Sequence, residues 1–208
     1  MTLEEQNNVE RRYFPAEVRM VGEGNEGRMV GHGAVFNQLS EDLGGFRELI
    51  MPGAFSDTLE EDIRALFNHD PNLILGRTTS RTLRLREDTQ GLRYEVDPPD
   101  TQYARDLKVS VDRGDVNESS FGFRAIKESW RHPDESNPLP TRILHKVRLF
   151  DVGPVTFPAY PTTPVQVRSK AREMKTSPGG ATGGEADDQR AVGRLALMRR
   201  RLDLAEKE

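Results

Sequence analysis

Apolar and polar residues alternate over much of this chain, and the apolar runs are short, ending at glycine, proline or aspartate. Phe14, Ala16, Val18 and Met20 are apolar with Glu17 and Arg19 between them, the period-two pattern of a half-buried strand. Gly22 to Gly27 is rich in turn formers, and Met29 to Phe36 reads as a second strand softened by Gly31 and Gly33. Gly44-Gly45 precedes a short strand from Phe46 to Met51, which Pro52-Gly53 ends. Asp57 with Glu60 three residues later has the form of a capping box and predicts a short helix. Ile63, Ala65, Phe67 and His69 share one parity, which predicts that His69 continues the apolar face of a strand. Leu73 to Arg77, Thr82 to Arg86 and Leu92 to Val96 predict further strands, with turns at Asp70-Pro71 and Gln90-Gly91. Asp100 can cap a helix carrying Ala104, Leu107 and Val111, closed by Gly114. Ser120 to Ile126 and Thr141 to Phe150 read as strands, and Pro154, Pro158, Pro161 and Pro164 interrupt the chain after them. Many short strands with a few helices predict an α+β, mostly β fold, suited to a small mixed β-barrel with surrounding helices.

The pattern divides the chain. Residues 1–10 read as a flexible lead and residues 11–172 as one domain. Residues 173–190 contain the Gly, Ser and Thr-rich stretch Thr176 to Gly184 and read as a linker. In residues 191–208, Ala191, Leu195, Met198, Leu202 and Ala205 recur at steps of four and three, a short apolar stripe on a charged helix. Such a stripe is too short to be stable alone, so the tail is either frayed or a docking helix for a partner.

Composition narrows the chemistry. Of 208 residues, 35% are apolar and 31% charged, so the core is modest. The net charge of −4 carries no excess of positive charge to attract nucleic acid. No cysteine is present, which excludes disulfides, thiolate nucleophiles and cysteine zinc sites. The four histidines lack paired metal-ligand spacing, so no metal is expected. Gly22-Glu23-Gly24-Asn25-Glu26-Gly27 fits a phosphate-loop pattern but sits in a hairpin-like turn, so no nucleotide cofactor is expected. The polar N-terminus has no secretory character and no apolar run reaches membrane-spanning length, so a soluble, cytoplasmic protein is expected, with no membrane partner.

A hydroxyl, an imidazole and a carboxylate remain, each in or beside an apolar run: Ser120, His69 and Asp151. A neutral imidazole can take the proton of a weakly nucleophilic hydroxyl, and a carboxylate can hold that imidazole in the right tautomer. The intervals are wide, so only a fold could unite them. Ser119 is the rival nucleophile, and opposite strand parity lets only one of the two face a site. Among the other histidines, His132 lies in the polar insert His132 to Thr141 and is expected to be solvated, and His32 lies between two glycines. Asp70 has the parity opposite to His69 and reads as a turn residue before Pro71. Gly122 is expected to leave room for substrate beside the hydroxyl. The hydrolase elbow Gly-x-Ser-x-Gly is absent, because position 118 is Glu.

Six short words, in order across roughly residues 11 to 168, resemble the prohead proteases of tailed bacteriophages, whose fold is like that of the herpesvirus assembly proteases. They are Gly33-Ala34-Val35-Phe36-Asn37, Pro52-Gly53-Ala54-Phe55, Phe67-Asn68-His69-Asp70, Leu75-Gly76-Arg77-Thr78, Ser120-Phe121-Gly122-Phe123, and the run from Asp151 to Pro161. The resemblance selects Ser120 as nucleophile, His69 as general base and Asp151 as the third member. His145 is the rival for that third place, because the herpesvirus relatives use a second histidine there. Two departures stand out: Gly153 where the family often has Ser, and the polar insert between Ser120 and Asp151. The resemblance implies a serine endopeptidase that matures a prohead inside a host bacterial cytoplasm. Its implied substrates are the scaffold or the scaffolding segment of the major capsid protein, and the protease itself, in a possible homo-oligomer. The alternative is a catalytically inactive assembly or scaffolding protein with the same fold.

Overall fold

The computed structural model describes residues 9–14, 18–22, 27–157, 167, 170–172 and 174. Its frame is one long antiparallel pair, β9 (Glu118–Arg131) and β10 (Thr141–Val155), joined by the polar insert. On the far side of β9 lies β1 (Glu10–Phe14), antiparallel to it, with Tyr13 opposite Ser120. Against the other edge of β10 run two short parallel strands, β4 (Arg47–Ile50) at its start and β5 (Arg64–Leu66) near its end. The strand β6 (Ile74–Arg77) pairs antiparallel with β5 and completes a six-stranded sheet. A second sheet is antiparallel throughout, in the order β2 (Arg19–Val21), β3 (Arg28–Val35), β8 (Gly91–Val96), β7 (Leu83–Glu87).

The two sheets enclose the core because each turns one apolar face to the other. Phe121 and Phe123 alternate with Ser120 and Gly122 along β9, and both phenylalanines are fully buried. Their rings stack at 5.0 Å, and Phe55 meets Phe121 edge-on at 5.6 Å. Met29, Ala34, Leu92 and Tyr94 of the second sheet supply the opposite wall. Burying a large apolar side chain is worth about 1.5–3 kcal/mol, so this interface dominates the stability of the domain. The expected helix is α1 (Gln102–Asp112), with Ala104, Leu107 and Val111 buried as their spacing predicts. Its N-cap is Thr101; Asp100 instead pairs with Arg105.

Several expectations are revised. The described strands form two open sheets rather than a closed barrel, because the sheets meet through side chains across the core while their hydrogen-bond ladders stay separate. The alternating segment from Phe14 to Met20 is divided between sheets: β1 pairs with β9, and β2 pairs with β3. No helix forms at Asp57. Residues 52–60 are consecutive turns with bonds such as Thr58 N–H to Phe55 O, and the Asp57 carboxylate is taken by Lys146. His132 is half-buried rather than solvated.

The N-terminal strand begins inside the supposed flexible lead, and its inward residues are charged. Glu10 and Arg12 of β1, Glu48 of β4 and Arg142 of β10 form a buried ion cluster. Arg12 donates to Glu48 Oε1 at 2.8 Å and to Glu10 Oε2 at 2.8 Å; Arg142 donates to Glu10 at 2.6 and 2.9 Å and to Glu48 at 3.0 Å. Glu128 of β9 accepts from Arg142 Nε at 2.7 Å. A smaller apolar cluster joins Leu43, Phe46 and Trp130 to Val167 and Ala171. The linker around Thr176 to Gly184 and the stripe from Ala191 to Ala205 lie outside the described residues.

Candidate active site

The outer face of the six-stranded sheet carries the site. Side chains alternate along β9, so the residues that send Phe121 and Phe123 inward send Ser120 and Gly122 outward. Asp151 reaches the same face through a bulge. Leu149 lies opposite Phe123, but the next register partners are Asp151 with Gly122 and Val152 with Phe121, so Phe150 is an extra residue in β10. The bulge reverses the parity of the strand. Leu149 and Val152 both point into the core, and Asp151 emerges beside Gly122. Without the bulge Asp151 would continue the buried face of Val147 and Leu149.

His69 comes from a turn, not a strand face. β5 ends at Leu66, and Asn68 and His69 both take left-handed backbone, with φ of 55° and 57°. The parity expected from Ile63 and Ala65 is therefore lost where the backbone turns at Asn68 and His69. Left-handed geometry at a non-glycine residue costs about 1–2 kcal/mol and persists only where surrounding contacts fix it. The contacts are present. Asn68 N–H donates to Pro154 O at 3.1 Å, Thr156 N–H donates to Asn68 Oδ1 at 2.8 Å, and Asn68 Nδ2 donates to Thr156 Oγ1 at 3.1 Å. Asp70 is the turn residue its sequence suggests, its Oδ1 accepting from Asn72 N–H at 2.8 Å.

The turn sets the imidazole between the other two groups. His69 Nε2 lies 2.6 Å from Ser120 Oγ, and Nδ1 is hydrogen-bonded to Asp151 Oδ1. With the ring proton on Nδ1, donated to the carboxylate, Nε2 is a bare acceptor for the serine hydroxyl. The side chains of His69 and Asp151 are only 8% and 11% exposed, so the pair is shielded from water that would weaken it. Ser120 Oγ also lies 2.8 Å from the main-chain carbonyl of Arg12 on β1. The single hydroxyl proton thus has two acceptors within reach, and donation to Arg12 is available when His69 carries both ring protons.

The rival residues are elsewhere. Ser119 is buried in the core and shares a 2.8 Å hydrogen bond with the Tyr94 hydroxyl. Burial pushes the Tyr94 phenol above its ordinary value, with the Ser119 bond acting in the opposite sense. His145 Nε2 bonds Ser129 Oγ at 2.7 Å on the half of the β9–β10 pair remote from Ser120. His32 Nε2 lies 2.9 and 3.1 Å from the two oxygens of Asp88, a contact the sequence did not single out. Burial raises the Asp88 carboxyl, but bonds from His32, Gly91 and Gln90 outweigh it and hold the group below the usual range.

Two glycines have specific tasks. A Cβ at Gly122 would lie 2.5 Å from Asp151 Oδ2, so the space expected for substrate is filled by the carboxylate. A Cβ at Gly153 would lie 2.1 Å from the Leu66 carbonyl, so the end of β5 passes too close for the serine that the family often has there. Among the described residues, no group of three or more His, Cys, Asp or Glu could hold a metal ion. No helix among them is long and apolar enough to cross a membrane.

A hydroxyl, an imidazole and a carboxylate hydrogen-bonded in series on one sheet face define the arrangement of a serine hydrolase. The sequence comparisons narrow that class. The model of the Caudovirus prohead serine protease family matches residues 14–177, and the chain belongs to that family. It is 32% identical over 151 residues to the prohead protease of Enterobacteria phage HK97, an alignment that takes in 69% of this chain and 60% of that relative. The chain therefore spans about 60% of the length of the curated relative it matches. No solved structure matches it.

Proposed function

We propose that this chain is an active serine endopeptidase that matures a prohead, with Ser120 as nucleophile, His69 as general base and Asp151 as the orienting carboxylate. The observation that carries the reading is the position of His69, bonded to Ser120 through one ring nitrogen and to Asp151 through the other. Ser120 attacks the scissile carbonyl while His69 Nε2 takes the hydroxyl proton; the imidazolium then gives that proton to the leaving amine. Asp151 keeps the remaining ring proton on Nδ1 and stabilises the charged ring. Water, deprotonated by the same nitrogen, releases the acyl group and restores Ser120.

The proposed substrates are the scaffold or the scaffolding segment of the major capsid protein, and the protease itself, cleaved within assembling shells in the host cytoplasm. Confinement raises the effective substrate concentration, so a slow enzyme suffices. The test is co-expression with the capsid protein, followed by intact-mass analysis of both chains and fluorophosphonate labelling of purified protein. Defined cleavage products and a label on Ser120 support the reading. An unlabelled Ser120 with uncleaved capsid protein would leave an inactive assembly protein of the same fold.

A further inference from the structure

Asn68 is absent from the proton path but fixes where that path runs. The strand β5 runs parallel to β10, with Arg64 beside Asp151 and Ala65 beside Val152. Its continuation is therefore carried past Asp151 toward residues 154–156. To engage both Asp151 and Ser120, His69 must be turned back, and two successive left-handed residues do this. Asparagine and histidine both tolerate that conformation better than most residues, but two in succession persist only where surrounding contacts fix them. The turn is held from outside. The Asn68 side-chain amide both accepts from the Thr156 main chain and donates to the Thr156 hydroxyl. Thr156 directly succeeds β10, the strand that carries Asp151. The base and its orienting carboxylate are thereby tied to one rigid strand.

We propose that Asn68 and Thr156 are a positioning pair that holds His69 in line with Ser120 and Asp151, an inference that rests on the triad reading above. Neither residue touches the reacting atoms. Their removal frees the imidazole to swing with its turn, and a displacement of about 1 Å from the productive geometry costs on the order of 10² in rate. The Asn68 main-chain bond to Pro154 survives side-chain removal, so the turn remains attached and the fold intact.

The experiment measures the rate of fluorophosphonate labelling at Ser120, which reports nucleophile activation without a peptide substrate. It compares the parent with Asn68→Ala, Thr156→Val, the double variant and Thr156→Ser. We expect Asn68→Ala, which removes both side-chain bonds, to slow labelling about 10²-fold, Thr156→Val, which leaves the Thr156 main-chain bond to Asn68 Oδ1, to slow it less, and the double variant to be no worse than Asn68→Ala, because the hydroxyl acts only through the Asn68 amide. Thr156→Ser, which keeps the hydroxyl, restores most of the rate lost in Thr156→Val. Proton NMR supplies a readout that a merely structural role would not move: the downfield Nδ1–H resonance of His69 should broaden in Asn68→Ala while the thermal midpoint holds. Parental labelling in either folded single variant overturns the pair, as does full additivity. Should Asn68→Ala not fold, Thr156→Val against Thr156→Ser decides alone. A parent that is not labelled at all, with labelling equally absent in Ser120→Ala, overturns the triad reading and the pair with it.

Discussion

Gly122 and Asp151 face each other across the β9–β10 ladder, with the position of a Cβ at Gly122 only 2.5 Å from Asp151 Oδ2 and 3.2 Å from its Cγ. The carboxylate rests on the bare backbone of its neighbour strand. Gly122→Ala must therefore displace Asp151 from His69 Nδ1. The added methyl lies on the outer sheet face and not in the core, so the protein should stay folded. Labelling of Ser120 by fluorophosphonate is expected to fall toward the level of an Asp151 variant. Labelling at the parental rate would show that Asp151 can move aside without consequence, and would remove it from the triad.

Asp151→Asn should slow turnover by roughly 10⁴, the loss seen when the orienting carboxylate of a serine protease becomes an amide and selects the wrong tautomer. His145→Ala should be mild, because His145 is bonded to Ser129 on the remote half of the strand pair. Single-turnover rates on a capsid-protein substrate compare the two. A greater loss in His145→Ala would transfer the third role to the histidine.

Much of this site was legible in the sequence, and the parts that were not share a cause. Many strand segments and the buried face of α1 at Ala104, Leu107 and Val111 followed from period and punctuation, whereas the capping-box pattern at Asp57 gave turns and no helix. Alternation made it readable that Ser119 and Ser120 face opposite ways, and the family resemblance chose Ser120; the structure buries Ser119 against Tyr94. The bulge at Phe150 was hidden, because register depends on the partner strand and leaves no mark in the local pattern. The left-handed turn at Asn68-His69 was hidden for the same reason: its bonds go to residues 154–156, far along the chain. The ion cluster left no local signal: Glu10 sits at the end of the expected lead, and Arg12, Glu48 and Arg142 gather around it only in the sheet that holds β1, β4 and β10.

The two adjacent serines should separate stability from activity. Ser120→Ala removes an outward hydroxyl and should abolish labelling and processing, with little change in thermal midpoint; loss of a serine nucleophile costs on the order of 10⁶ in rate. Ser119→Ala leaves the buried Tyr94 hydroxyl without its 2.8 Å partner and should cost about 1–3 kcal/mol of stability while the folded protein keeps its activity. Denaturant unfolding and labelling on both variants check this. An inactive but fully stable Ser119→Ala would reverse the assignment.

Glu128, bonded to Arg142 at the margin of the buried cluster, gives the domain an acid-sensitive contact. Burial pushes the Glu128 carboxyl up, but the charge of Arg142 and bonds from Trp130, Arg142 and Lys170 outweigh it, so the group lies below its ordinary 4.5 in the folded protein. A depressed folded value means that the unfolded chain binds the proton more readily. The stabilisation is complete above about pH 4.5 and is lost as pH falls through the folded value. Stability measured by urea unfolding should therefore decline on the acid side of pH 4.5, and Glu128→Gln should flatten that decline while lowering stability at neutral pH. Arg142→Met is the harsher change. It strands Glu10 and Glu48 in the core with one guanidinium between them, and removing one partner of a buried ion pair costs about 3–5 kcal/mol. Because Arg12 of the same cluster lies in the strand whose carbonyl meets Ser120, Arg142→Met should loosen β1 and disturb the nucleophile as well. Hydrogen exchange across residues 10–14 and 118–123 tracks both effects. Unchanged protection in β1, with stability equal to the parent, would mean that the cluster is not what holds the N-terminal strand beside the site.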